Sequence, residues 1–188
     1  MDNILIEILA DSVDNTSFRT GDIPDIDLYM DQITGFINKN FAPPGGEKER
    51  FLTKTMVHNY SKEGLIKPVK GKKYTKEHII QMILVYQLKN TLKISDIKTA
   101  LTKVYAWDEY DECFLAQCFD RHMESKEGMV ADSVKCLDEI LNNENLDLAN
   151  KKDLFVMLLN AAAISAYFKN ITESLAGRLC GEDNDSEA

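Results

Sequence analysis

The stretch "YSKEGLIKPVKGKKYTKEHI", Tyr60–Ile79, gathers six lysines around a Gly-Leu-Ile-x-Pro step and runs straight into an apolar helix. Upstream of it, Thr53 is placed to cap a short polar helix ending near Lys62, because a threonine oxygen can accept a free N–H at a helix start. Gly64 stands where a left-handed residue closes such a helix. Leu65 and Ile66 read as a brief extended pair, and "KPVKGKK" as a tight basic turn. Thr75 then caps the next helix, with Glu77 in its first turn complementing the helix dipole. Ile79, Ile80, Met82, Ile83, Leu84, Tyr86 and Leu88 make that helix apolar over most of its circumference, which predicts a central core helix.

Working outward, Pro24 and Asp25 announce an earlier helix whose apolar positions are Ile26, Tyr29, Met30, Ile33, Phe36 and Ile37. "FAPPGGEKER", with two prolines and two glycines, ends it. The apolar run from Ile4 to Leu9 fits a docking helix or a strand equally well. Downstream, Ser95 is a cap for a helix carrying Ile97, Ala100, Leu101 and Val104, and Asp108 starts one carrying Phe114, Leu115, Cys118 and Phe119. Gly128 punctuates before a helix with Val130, Val134, Leu137, Ile140 and Leu141. Asn150 caps the last and longest, from Lys151 to about Leu179, and "GEDNDSEA" is an acidic, disordered tail. The expected organisation is an N-terminal segment (1–22), a main domain (23–127), a C-terminal helical extension (128–180) and the tail (181–188). The fold class is all-α with a minimal β wing.

Charge sharpens this division. The 188-residue chain has a net charge of −9, with 44% apolar and 28% charged residues. Yet Lys48–Lys103 holds 13 lysines and arginines against four acids, a net +9. A basic module between acidic flanks is a footprint of nucleic-acid binding, although a solvated lysine surface produces it too. No run approaches the ~18 uninterrupted apolar residues of a membrane span, and Asp2 and Glu7 spoil a signal peptide, so a cytoplasmic protein with no membrane partner is expected. Four irregularly spaced cysteines suit a reducing compartment.

Short helix, glycine, extended pair, basic turn, long apolar helix is the order of a winged helix-turn-helix, spanning about Thr53–Tyr105. In such a unit the short helix enters the major groove of double-stranded DNA, with Lys54, His58, Asn59 and Lys62 as donors to bases and phosphates. Lys67, Lys70, Lys72 and Lys73 on the turn lie beside the backbone, where neutralising phosphates releases counterions. Tyr60 and Tyr74 bracket the turn and are expected to pack it onto the core rather than touch DNA.

"TKTMVHNYSKEGLIKP", "KKYTKEHI" and "ISDIKTAL" resemble the pattern of the mercury-resistance regulator (MerR) family. More closely, "LYMDQITGFI", "LTKTMVHNYSKEGLIKP" and "KKYTKEHIIQMILVYQLKNTLKISDIKTAL" are similar to a bacterial family, domain of unknown function 1836, over roughly Ile23–Met123. The resemblance implies a MerR-like winged helix but no assigned function; the basic segment and the order of the motifs lead to the expectation of a DNA-binding transcriptional regulator. The sequence departs from MerR regulators in placing His58 where an arginine is usual, in a clipped wing bearing lysine only, and in the long "APPGG" connection.

No enzyme is expected. "APPGGEKER" lacks the Gly-Lys-Ser/Thr of a phosphate loop, and no serine sits in a nucleophile elbow. Cys118 and His122 stand at i, i+4 with Cys113 nearby, a spacing able to share a metal, but half-buried helical thiols are usually core. Neither metal nor cofactor is therefore expected. The alternative reading is a protein-interaction module on a winged-helix scaffold without DNA binding. The final helix, apolar around more than half its circumference, with Ala161, Ala162, Ala163 and Ala166 permitting close approach, predicts a homodimer.

Overall fold

The computed structural model describes residues 3–12, 18–41, 51–111 and 113–181. Helix α1 (Asn3–Ser12) precedes a 3-10 turn (Thr20–Asp22), a two-residue strand β1 (Leu28–Tyr29) and α2 (Met30–Asn40). There follow α3 (Lys54–Lys62), β2 (Lys73–Tyr74), α4 (Lys76–Leu88), α5 (Ile94–Tyr105), α6 (Phe114–Asn143) and α7 (Lys151–Cys180). The two strands pair antiparallel, Leu28 with Tyr74 and Tyr29 with Lys73.

Helix α4 is the axis of the core. Ile79, Met82, Ile83 and Val85 are fully buried, as its all-round apolarity predicts. Ile33 and Ile37 of α2, Val57 and Tyr60 of α3, Ile97 and Leu101 of α5, and Leu115, Phe119 and Met123 of α6 complete the same cluster. Phe18 joins it, its ring 4.6 Å from that of Phe41 and 6.2 Å, edge-on, from that of Phe119. Thr20 fastens this segment to α6: its N–H donates to Asp120 Oδ1 at 2.7 Å and its hydroxyl to Oδ2 at 2.5 Å. A smaller cluster of Leu5, Leu141, Leu148 and Met157 ties α1 to the α6–α7 corner.

Several elements differ from the sequence expectation. The second helix begins at Met30, not near Asp25, because Leu28 and Tyr29 are taken up by the ladder, and Ile26 and Tyr29 are exposed. Leu65 and Ile66 form no strand; they are buried, and the strand is Lys73–Tyr74. Ser95 lies inside the first turn of α5, its hydroxyl donating to Asp96 Oδ1 at 2.9 Å. Helix α6 starts at Phe114 rather than near Asp108, and just before it Asp111 Oδ1 accepts the Cys113 N–H at 2.8 Å. Gly128 does not interrupt α6. A helical glycine costs only about 1 kcal/mol relative to alanine, and among the described residues the glycines with left-handed backbone are Gly64, Gly71 and Gly181. The boundary expected between residues 127 and 128 thus falls within one continuous helix. Cys113, Cys118 and Cys136 are exposed free thiols rather than half-buried ones. Most of the "APPGG" connection and nearly all of the acidic tail lie outside the described residues.

Helix α7 is capped as expected, Asn150 Oδ1 accepting the Lys152 N–H at 2.9 Å, but it buries only Met157 and Ala176. By length and composition alone it could cross a membrane, with a mean hydropathy of 1.5 and 6% of its most apolar stretch buried. Averaging captures what a search for an uninterrupted apolar run does not, because Asn160 and Ser165 break the run.

Candidate nucleic-acid interface

The short helix α3 is held at its start from two sides. Thr53 Oγ1 accepts the Met56 N–H at 3.2 Å, the expected cap. Asn38 of α2 makes a reciprocal amide pair with Leu52: its Oδ1 accepts the Leu52 N–H at 2.9 Å and its Nδ2 donates to the Leu52 carbonyl at 2.7 Å. This clamp fixes where α3 begins. In sequence, Asn38 is only one more polar helical residue, with no signal of its role. Val57 and Tyr60 face the core, and Lys54, His58 and Lys62 at i, i+4, i+8 share the accessible side with Asn59. All four expected base- and phosphate-facing residues are exposed. Lys54 also pairs with Asp31 of α2, a surface contact of small energetic weight.

The exit of α3 follows the expected left-handed pattern. Gly64 has φ +71°, and the Leu65 N–H returns to the Tyr60 carbonyl at 2.9 Å. Leu65 and Ile66 dive into the core and set the base of the basic turn, whose tip has Gly71 at φ +71°. Lys70, Lys72 and Lys73 are exposed, Lys73 with its Nζ 5.6 Å from the centre of the Tyr29 ring. Tyr60 and Tyr74 are both buried, so they anchor the turn, as expected. Burial pushes the Tyr60 hydroxyl up to about 12.

Lys67 is different from its neighbours. Its Nζ lies 2.9 Å from Glu77 Oε1 and over the rings of Tyr110 at 4.1 Å and Tyr105 at 5.3 Å. Its backbone N–H donates to Oε1 of the fully buried Gln81 at 2.9 Å. The Tyr110 hydroxyl donates to the same Glu77 carboxylate, and burial together with that carboxylate raises the Tyr110 pKa. Lys67 therefore works inward, locking the turn onto α4 and the α5–α6 connection, while the other seven residues face solvent. Neither Gln81 nor the tyrosine pair was legible as part of this lock, because their partners are distant in sequence.

Next to it, His78 is buried with Nδ1 accepting the Thr75 N–H at 3.1 Å, and desolvation holds its pKa below the ordinary value. Among the described residues no three histidine, cysteine or carboxylate side chains gather as metal ligands.

No curated protein and no solved structure gives a significant match to the chain. The pattern of one family does match, over residues 18–122, and these limits coincide with the run of core residues from Phe18 to Met123. With more than half its length so matched, the chain belongs to the family described as domain of unknown function (DUF1836).

Proposed function

We propose that the protein is a cytoplasmic transcriptional regulator that binds duplex DNA through a MerR-like winged helix, α3 serving as recognition helix and the Lys70–Lys73 turn as wing. The observation that carries this reading is an accessible, doubly fastened helix presenting Lys54, His58, Asn59 and Lys62, followed at once by a basic turn, in a protein of net charge −9. The basic turn lies between the short helix α3 and the core helix α4, the order that the sequence reading expects of a winged helix-turn-helix. Lysines engaging phosphates release counterions, so the logarithm of affinity should fall linearly with the logarithm of salt concentration. With four or five lysines in contact the slope is about −4.

The test is a titration of binding to random duplex between roughly 50 and 200 mM salt. Alanine at Lys62, Lys70 or Lys72 should reduce the slope by about one each, across all sequences. Alanine at Asn59 should instead change sequence preference, since a side-chain amide reads adenine through two hydrogen bonds. A flat salt response, or no binding at the low-salt end, rejects DNA. The second reading, an interaction module without DNA binding, draws on two ion pairs that occupy expected DNA-contacting cations, Lys54–Asp31 on the surface and Lys67–Glu77 turned inward.

A further inference from the structure

The ends of α5 and α7 meet at an open pocket of about 550 Å³, within the range of roughly 300–1,000 Å³ usual for small-molecule sites. Lys103 and Trp107 wall it on the α5 side, and Leu175, Arg178 and Leu179 on the α7 side. Both walls are fastened from behind, because Ala100 and Leu101 of α5 are buried and Ala176 of α7 joins the main core. Trp107, the single tryptophan of the chain, is held by a perpendicular contact with Phe114, ring centres 5.9 Å apart. Its backbone N–H donates to the Val104 carbonyl at 3.2 Å. Yet the residue stays 39% exposed, and Leu175 and Leu179 are exposed beside it.

Three features set the chemistry of an occupant. Lys103 and Arg178 are exposed, and neither forms an ion pair with a carboxylate among the described residues. An arginine fork beside a lysine receives a carboxylate or phosphate, the arginine through two parallel hydrogen bonds. The indole supplies a face on which a second ring stacks in an offset arrangement, and the two leucines extend that apolar surface. Finally, acidic residues follow both walls in sequence, Asp108 and Glu109 after Trp107, and Glu182 and Asp183 after Gly181. One anionic group is therefore matched by the two cations, whereas a long polyanion such as a nucleic-acid strand meets like charge on either side. A bilayer or an apolar protein face laid over the pocket would bury both cations without partners, which is costly.

We propose that this pocket binds a small aromatic anion, a planar ring carrying one phosphate or carboxylate. The ring lies against Trp107 and the leucines, and the anion meets Lys103 and Arg178. No residue of α3 or of the basic turn lines the pocket, so the proposal stands whether or not α3 binds DNA.

The test is a titration of the full chain with phenyl phosphate, followed by the fluorescence of Trp107, which as the single tryptophan reports on this pocket. Saturable quenching with a dissociation constant below about 1 mM is expected. Phenol and inorganic phosphate each carry half of the recognised chemistry and should bind about tenfold more weakly or worse. Arg178→Ala and Lys103→Ala should each weaken phenyl phosphate by about tenfold, the scale of a lost charge-assisted hydrogen bond. Helicity by circular dichroism should be unchanged in both, since both side chains are exposed. Cys180 lines the same pocket. With Cys113, Cys118 and Cys136 replaced by serine, phenyl phosphate should slow maleimide labelling of Cys180. Absence of saturable quenching overturns the proposal, as does equal affinity for inorganic phosphate or for phenol, or undiminished binding by the two variants. Tighter binding of a single-stranded oligonucleotide at the same two cations overturns it in favour of nucleic acid. Fluorescence that responds to protein concentration and not to phenyl phosphate overturns it in favour of a second copy over the pocket.

Discussion

Helices α4 and α7 carry similar apolar runs, "IIQMILVYQL" and "FVMLLNAAAISAYF", and meet opposite fates. In α4 the run is wrapped by four other helices, and even Gln81 is fully buried. In α7 most of the run faces solvent. Apolar side chains all round a helix therefore state that something must cover it, without saying whether the cover comes from the same chain. For α4 the cover is intramolecular because the elements before and after it in sequence fold back on it. For α7, the long neighbour α6 packs on α4, and α7 itself rests on α5 by one narrow side.

The contrast can be broken most severely at α4. Ile83→Ala should cost about 2–5 kcal/mol in urea unfolding, because the cavity is enclosed on all sides. A cost under about 1 kcal/mol would mean that α4 is not the enclosed axis. Next in size is Asn38→Ala, which leaves the Leu52 N–H and carbonyl without their partner and should cost about 1–3 kcal/mol. It should also weaken any DNA binding more than its distance from the exposed face of α3 suggests, since it frees the start of that helix.

Lys67→Ala should lower stability by about 1 kcal/mol through loss of its aromatic and carboxylate contacts, whereas Lys70→Ala should leave stability unchanged. Equal effects of the two would remove the distinction between an inward and an outward lysine on the same turn.

A smaller effect is expected from pH. The folded pKa of His78 lies below 6.5, lowered by burial and only partly offset by Glu77 and Asp27, so the unfolded chain takes up the proton first. Its contribution is complete above about pH 6.5 and is lost as pH falls below that value. His122, lowered by burial and then by Lys126, acts in the same direction. The urea midpoint should drop between pH 7 and 5, and His78→Gln should flatten part of that drop. The smallest effect closes the comparison. Leu158→Ala on α7 should change the stability of the isolated monomer by no more than about 0.5 kcal/mol, since its side chain is 61% exposed.

Much of the fold was legible because it rests on local chemistry. Thr53, Gly64, Thr75 and Asn150 mark helix ends through contacts with residues a few positions away, and the structure has a helix end at each. The failures were of two kinds. Ile26 and Tyr29 match helical spacing, but pairing of Leu28 with Tyr74, some forty-five residues on, claims that segment for a strand. In sequence Gly128 reads as a break, a weight that a solvent-facing glycine with helical backbone does not have. At the candidate site the exposed residues could be named from sequence, since helix periodicity separates them from Val57 and Tyr60. Lys67 could not be told from Lys70, because only the tertiary approach of Glu77, Tyr105 and Tyr110 turns it inward.

The Asn38–Leu52 clamp has a consequence for the chain's connectivity. The Phe41 and Phe51 rings lie 5.3 Å apart, so the two described stretches that end at Phe41 and begin at Phe51 are fastened to the body at neighbouring points. Both gateposts are secured independently of what runs between them. Loop-closure entropy grows only with the logarithm of length, so a guest domain inserted between Phe41 and Phe51 should cost little. For the same reason this is where new termini of a circular permutant belong, provided the original ends are joined by a linker of sufficient reach.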